Sequence, residues 1–157
     1  MSTPTPTTHG QFVIDRHYVA TPTRTFAAWA DPALRAQWFI GPENWKALER
    51  RFDFRVGGEE ILRGAFGDRE TLFTARYHLV EPEARVVYVY DMHVAGRHHS
   101  VSLATIEFIA EGAGTHLHFT EQVAFVDGTP GDEGTASRRR GTDEHLERLG
   151  AVLEAGR

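Results

Sequence analysis

Two contrasting patterns divide this chain. Residues 48–126 carry strand and turn patterns throughout, whereas the C-terminal segment carries one long helical stripe. Within the strand region, Gly57-Gly58 separates runs at 48–56 and 59–66, and a Gly-Gly pair supplies the positive φ angles of a two-residue hairpin turn. Gly67-Asp68, Glu81-Pro82-Glu83, residues 95–99 and residues 111–114 then divide runs at 70–80, 85–94, 100–110 and 115–126, each rich in β-branched or aromatic residues. These predict six antiparallel strands in a meander. Ahead of them, Phe12, Ile14 and Tyr18 alternate with Val13, Asp15 and His17 at the period of two of a strand with one buried face. Between that strand and the meander, Phe26, Trp29, Ala30, Leu34 and Trp38 follow a helical period broken at Asp31-Pro32, which predicts two short helices. The stripe Leu146, Leu149 and Leu153, flanked by His145 and Val152, predicts a last helix over about 135–155. A sheet with one face to cover needs a long element, and only this helix is long enough. The expected class is α+β: a curved seven-stranded antiparallel sheet, two short helices and a long C-terminal helix that leaves a hollow beneath it.

Composition narrows the function. The chain's 157 residues fit one domain, with the Thr/Pro-rich residues 1–10 expected as a disordered tail and 11–157 as the folded unit. Asp and Glu outnumber Lys and Arg by 22 to 17, so no overall positive field attracts a phosphate backbone and nucleic acid is not the expected partner. Arg138-Arg139-Arg140 lies among acidic residues and reads as a solvated helix face. With no cysteine, disulfides, thiolate catalysis and thiolate metal sites are all excluded. No apolar run approaches the ~18 residues of a membrane span, and residues 1–10 lack the apolar core of a signal peptide, so no membrane insertion and a cytoplasmic location are expected.

The order of elements and several local pieces resemble the START-like, or SRPBCC, superfamily. Within it, the likeness is to the branch named after the C-terminal domain of the activator of the heat-shock-protein-90 ATPase. It covers about residues 11–155: Arg16, Ala20-Thr21-Pro22, Phe26-Ala27-Ala28-Trp29-Ala30-Asp31-Pro32, Trp38 with Gly41-Pro42, Asp53-Phe54-Arg55-Val56-Gly57-Gly58, Val80-Glu81-Pro82-Glu83, Gly114-Thr115, and Gly141 with Leu146 and Leu149. The resemblance implies a helix-grip fold with a cavity between sheet and helix, but no single reaction, because such proteins include lipid and hormone carriers, polyketide cyclases and co-chaperone domains. Two departures from the branch pattern, Glu60 after the Gly-Gly turn and Thr142 after the helix glycine, would make the interior more polar.

Hairpin register then proposes which residues face that cavity. A two-residue Gly57-Gly58 turn would set Arg55 against Glu60 and Asp53 against Leu62, with Glu60, Leu62 and Phe66 on one face and Phe52, Phe54 and Ile61 on the other. Pairing Phe108 with Leu117 sets Ile106 against Phe119 and Ala104 against Glu121; a similar pairing of the preceding strand brings His93 beside Ser100 and Asp91 beside Ser102. A one-residue slip would instead turn in Tyr88, Tyr90 and Met92. On the first register, Glu60, Asp91, His93 and Glu121 form a polar group, with at least one carboxyl raised in pKa, inside a wall of Trp38, Trp45, Leu62, Phe66, Phe73, Tyr77 and Phe119, roofed by His145 and Leu149. The expected ligand is a small apolar or aromatic molecule with a polar group. Two other functions stay open: a cyclase- or hydrolase-like enzyme using His93 with Glu121 or Asp91 as acid and base, and a protein-binding module. The outward face of Tyr88, Tyr90, Met92, Val101 and Leu103 is the place for a partner, so the chain is expected as a monomer or a homodimer. No cofactor is called for, since nucleophile elbow, phosphate loop and dinucleotide fingerprint are absent. Nor is a metal expected, because His98-His99 diverge and His116 and His118 have no third ligand nearby in the sequence.

Overall fold

The computed structural model describes residues 4–156. Strand β1 (Thr8–Tyr18) leads into helices α1 (Pro22–Ala30) and α2 (Pro32–Trp38); strands β2 (Trp45–Phe52), β3 (Glu59–Phe66), β4 (Arg69–Glu81), β5 (Arg85–Val94), β6 (Arg97–Glu111) and β7 (Gly114–Phe125) follow, and α3 (Gly131–Ala155) ends the chain. The two short helices start where the sequence supplies caps. Thr21 accepts from the Arg24 amide and Asp31 from those of Ala33 and Leu34, and each helix opens on a proline whose missing N–H costs nothing there.

The sheet order is β1-β7-β6-β5-β4-β3-β2. The meander runs from one edge to the other, and β1 closes it beside β7, pairing Ile14 with Phe119 and Phe12 with Glu121. Alternate residues of every central strand are buried on the face that α3 crosses, which is the period-two pattern of a sheet with one covered side. Leu146, Leu149 and Leu153 bring α3 down onto that face, and Gly134 lets its first turn approach the Phe125 ring. Hydrogen bonds tie the helix to the opening elements: Tyr18 Oη donates to the Leu146 carbonyl at 2.7 Å, Arg24 Nη2 to that of Leu153 at 2.9 Å, and Arg16 to Asp143 Oδ1 at 2.8 Å and Glu147 Oε2 at 2.5 Å. Among the described residues, no helix is long and apolar enough to cross a membrane.

Several boundaries and registers differ from the sequence reading. Strand β1 begins at Thr8, with Thr8, His9 and Gly10 paired to Phe125, Ala124 and Val123, so the strand extends into the expected tail; residues 1–3 of that tail lie outside the described residues. Helix α3 begins at Gly131, four residues before the expected start at 135. The Gly57-Gly58 connection is a six-residue loop, residues 53–58, and not a two-residue turn. Phe52, not Arg55, lies opposite Glu60. Gly57 has φ +81°, and its amide donates to the Tyr77 carbonyl at 2.8 Å, so the loop hydrogen-bonds to β4.

The β6/β7 pairing agrees with the sequence reading, Phe108 against Leu117 and Ala104 against Glu121. The β5/β6 pairing does not. Ala95 and Gly96, both at positive φ, make a two-residue turn, and a bulge between Met92 and His93 places Met92 opposite Ser100 and Tyr90 opposite Ser102. Tyr88, Tyr90 and Met92 therefore turn inward, while Asp91 and His93 point outward. The partner surface expected on that outward face loses its aromatic residues, and only Val101 and Leu103 of the five remain there.

Candidate ligand cavity between sheet and helix

A cavity of about 710 Å³ lies between the inner sheet face and helices α2 and α3, within the ~300–1,000 Å³ range of small-molecule sites. Its walls are mainly apolar, with Trp29, Trp38, Phe39, Phe73, Tyr88 and Phe119 among the aromatic residues that line it. Of the residues expected to face it, Trp38, Trp45, Leu62, Phe66, Phe73, Phe119, Glu121 and His145 lie in its lining, with half-exposed Phe66 at the rim. Glu60, Tyr77 and Leu149 are buried behind that lining. Asp91 and His93 are on the other side of the sheet: Asp91 pairs with His98 at 2.8 Å and the His93 ring stacks on His98. One bulge thus separates His93 from Glu121 and carries the alternative pair, His93 with Asp91, out of the cavity together.

Trp45 enters the cavity across two glycines. The indole lies so close over Gly64 and Gly41 that a β-carbon on either would overlap it. Gly64→Ala should therefore expel the Trp45 ring, and loss of near-UV circular dichroism with far-UV signal retained would show it. An unchanged near-UV spectrum would mean that the ring is not held there.

The polar part of the cavity is built around a residue that charge patterning assigns to solvent. Arg138 reaches inward from α3. Its Nη1 donates to Tyr90 Oη at 2.9 Å, Ser102 Oγ at 3.1 Å and Glu121 Oε2 at 3.3 Å, and its Nη2 donates to Ser100 Oγ at 2.7 Å. Tyr90 Oη donates in turn to Glu121 Oε2 at 2.7 Å. Glu121 is 1% exposed, and burial pushes its carboxyl above the usual range against the opposing pull of Arg138, Tyr90 and Ser102. Burial also works against the Arg138 charge, but Tyr90 and Glu121 more than offset it. A helical signal existed in the sequence: Arg138 stands eight and eleven residues before Leu146 and Leu149, on the same stripe. Arg139 and Arg140, off that stripe, are exposed as expected.

A second buried charge pair supports the other end. Arg35 makes a bidentate contact with Glu60, Nε to Oε2 at 2.9 Å and Nη2 to Oε1 at 2.8 Å, and Tyr77 Oη donates to Glu60 Oε1 at 2.7 Å. The guanidinium is enclosed by aromatic rings, 4.0 Å from the Phe39 centroid, 4.5 Å from Trp29 and 4.7 Å from Trp38. Arg35 borders the cavity, and its Nη1 is buried without a hydrogen-bond partner. Of the two departures that would make the interior polar, Glu60 is consumed by this pair and Thr142 lies in the cavity wall.

The lining holds two imidazoles: His99, whose Nδ1 is 2.7 Å from Asp127 Oδ2, and His145. Burial, then Arg148 and Arg35, push His145 down to about 4, so its ring is neutral at pH 7. A carbonyl only accepts, so Nε2, 3.0 Å from the Ile40 oxygen, carries the proton and Nδ1 remains an acceptor.

Fold and cavity agree with the comparisons. The profile described as "Activator of Hsp90 ATPase homolog 1-like protein" matches residues 19–154. The chain belongs to that family. Activator of Hsp90 ATPase homolog 1-like proteins fall in the START/SRPBCC fold superfamily, whose members typically bind hydrophobic ligands. A putative uncharacterized protein from Rhizobium leguminosarum is 39% identical over 96% of this chain and 97% of its own, with a TM-score of 0.88. Mll3558 from Rhizobium loti is 36% identical over 94% and 99%, with a TM-score of 0.85. An AHSA1-like protein from Aeromonas hydrophila, 24% identical over 94% of both chains, shares the fold with a TM-score of 0.71. No curated protein matches the chain.

Proposed function

We propose that this family member binds a small, largely aromatic molecule in the cavity, holding an acceptor group of it, a carbonyl, phenolate or carboxylate, against Arg138. The observation that carries this reading is one polar cluster in an aromatic wall: Arg138 bridges α3 to Tyr90, Glu121, Ser100 and Ser102. Burying a guanidinium there is costly, and the cluster repays it with a fixed donor in a low-dielectric space. The unpartnered Arg35 Nη1 offers a second donor. The aromatic walls supply the apolar contact area, and the two donors orient the molecule.

Carrier function is favoured over turnover, because the imidazole meant to act with Glu121 lies outside the cavity, His145 is engaged with the Ile40 carbonyl and His99, the lining's other imidazole, is tied to Asp127 at 2.7 Å. Thermal shift against a panel of flavonoids, aromatic acids and fatty acids tests the proposal. A true ligand at a hundred times its Kd should add about 2.7 kcal/mol of stability. Arg138→Met should weaken an acceptor-bearing ligand about tenfold or more while sparing a purely apolar analogue, since hydrogen bonds to charged groups contribute ~1.5–3 kcal/mol. Ligand recovered unchanged by mass spectrometry supports a carrier; conversion to product would establish an enzyme. A panel with no stabilising member would count against the cavity reading altogether.

A further inference from the structure

The outer face of the sheet holds a second grouping, far from the cavity in chemistry and on the opposite side of the strands. His116 and His118 are two residues apart on β7, so both rings stand on one face. The sequence offers them no third ligand nearby. The β1–β7 pairing does: Asp15 lies directly opposite His118 and diagonal to His116. His116 Nε2 is 2.6 Å and His118 Nδ1 2.7 Å from the same oxygen, Asp15 Oδ1. One ligand atom from each of the three lies within 4.8 Å of the others.

We propose that Asp15, His116 and His118 form a binding site for one divalent first-row transition-metal ion. Two imidazole nitrogens and one carboxylate oxygen are a donor set that suits zinc, copper, nickel or ferrous iron and disfavours calcium or magnesium. An ion bound at about 2.0–2.2 Å from each donor needs them roughly 3.3 Å apart, so it replaces the protons now shared with Asp15 after small side-chain rotations. The side chains have room to rotate: they are 46% exposed at Asp15, 25% at His116 and 33% at His118. That exposure also leaves the remaining coordination positions to water. The surroundings favour a cation. Glu107 on β6 stands opposite His118 on the other flank, and the His17 ring stacks on His116 at 4.7 Å while bonding Glu111 through Nδ1 at 2.8 Å. The backbone already fixes all three ligands on two adjacent, fully paired strands, so little chain ordering opposes binding.

Isothermal titration of the untagged full-length protein with zinc chloride, paired with histidine NMR, tests this. The expected result is one zinc per chain at micromolar affinity, with shifts centred on His116 and His118. His118→Ala and Asp15→Asn should each weaken binding about tenfold or more, comparable with losses at known metal centres. His98→Ala, at the separate Asp91–His98 pair, should change nothing. The site is partly exposed, so unchanged far-UV circular dichroism will show that the variants fold. Absence of saturable binding below millimolar zinc, or binding that survives both His118→Ala and Asp15→Asn, would overturn the proposal.

Discussion

Replacing Glu60 by alanine is expected to destabilise the protein by about 3–5 kcal/mol, the usual cost of breaking one side of a buried ion pair. Arg35 and Glu60 are each 1% exposed. Removing the carboxylate leaves a guanidinium among aromatic rings, and it has no protonation escape, because an arginine does not give up its proton in a protein. Tyr77 Oη loses its acceptor in the same step. Against a total folding stability of ~5–15 kcal/mol, such a loss should lower the Tm by roughly 10 °C in a domain of this size. The paired change Arg35→Met with Glu60→Leu removes both charges together, and buried pairs replaced by apolar groups are often neutral in stability. Most of the lost stability should then return in the double variant. Urea unfolding of the wild type, Arg35→Met, Glu60→Leu and the double variant gives the coupling between the two sites. A Glu60→Ala loss below ~1 kcal/mol would show that the pair is solvated and the buried reading is wrong.

How far these features were legible depends on how much one strand says about its neighbour. The β6/β7 register could be read correctly, since Phe108, Ile106 and Ala104 oppose Leu117, Phe119 and Glu121 through an unbroken ladder closed at Glu111 and Gly114. The β5/β6 register could not, because a bulge adds one residue without any glycine or proline at the bulge to announce it, and a single slip exchanges Asp91 and His93 for Tyr90 and Met92. The Gly57-Gly58 hairpin failed for another reason. Its glycines were identified, but Asp53–Gly58 form a loop that bonds to β4, so Phe52 came to share the face of Glu60. Charge patterning assigns Arg138 to solvent, although it stands eight residues before Leu146 on the apolar stripe of its helix; Arg35, three residues before Trp38, carries the same helical signal. Asp15 joins His116 and His118 only through strand pairing across a hundred residues of chain, which no local spacing reveals.

The Arg138–Glu121 pair leads to an effect that depends on pH. In the wild type, burial raises the Glu121 carboxyl while Arg138, Tyr90 and Ser102 restrain the rise. Arg138→Met removes the strongest restraint, so the folded-state pKa should climb further while the unfolded-state value stays near that of free glutamate. The folded variant then holds a proton that the unfolded chain has released, and wherever the native state binds more protons, stability falls as pH rises. Between the unfolded pKa and the raised folded pKa, the loss should be about 1.4 kcal/mol per pH unit; below that window the acid is neutral in both states and costs nothing further. Urea midpoints for Arg138→Met should therefore come nearest to the wild type at about pH 5 and fall progressively toward pH 8, with a steeper decline than in the wild type. Adding Glu121→Gln should flatten the curve, because the titrating group is gone. A decline that persists in this double variant would place its source elsewhere, and a flat profile in Arg138→Met itself would mean that Glu121 stays ionised without its guanidinium, reached by water that the enclosed geometry at Tyr90, Ser100 and Ser102 should keep out.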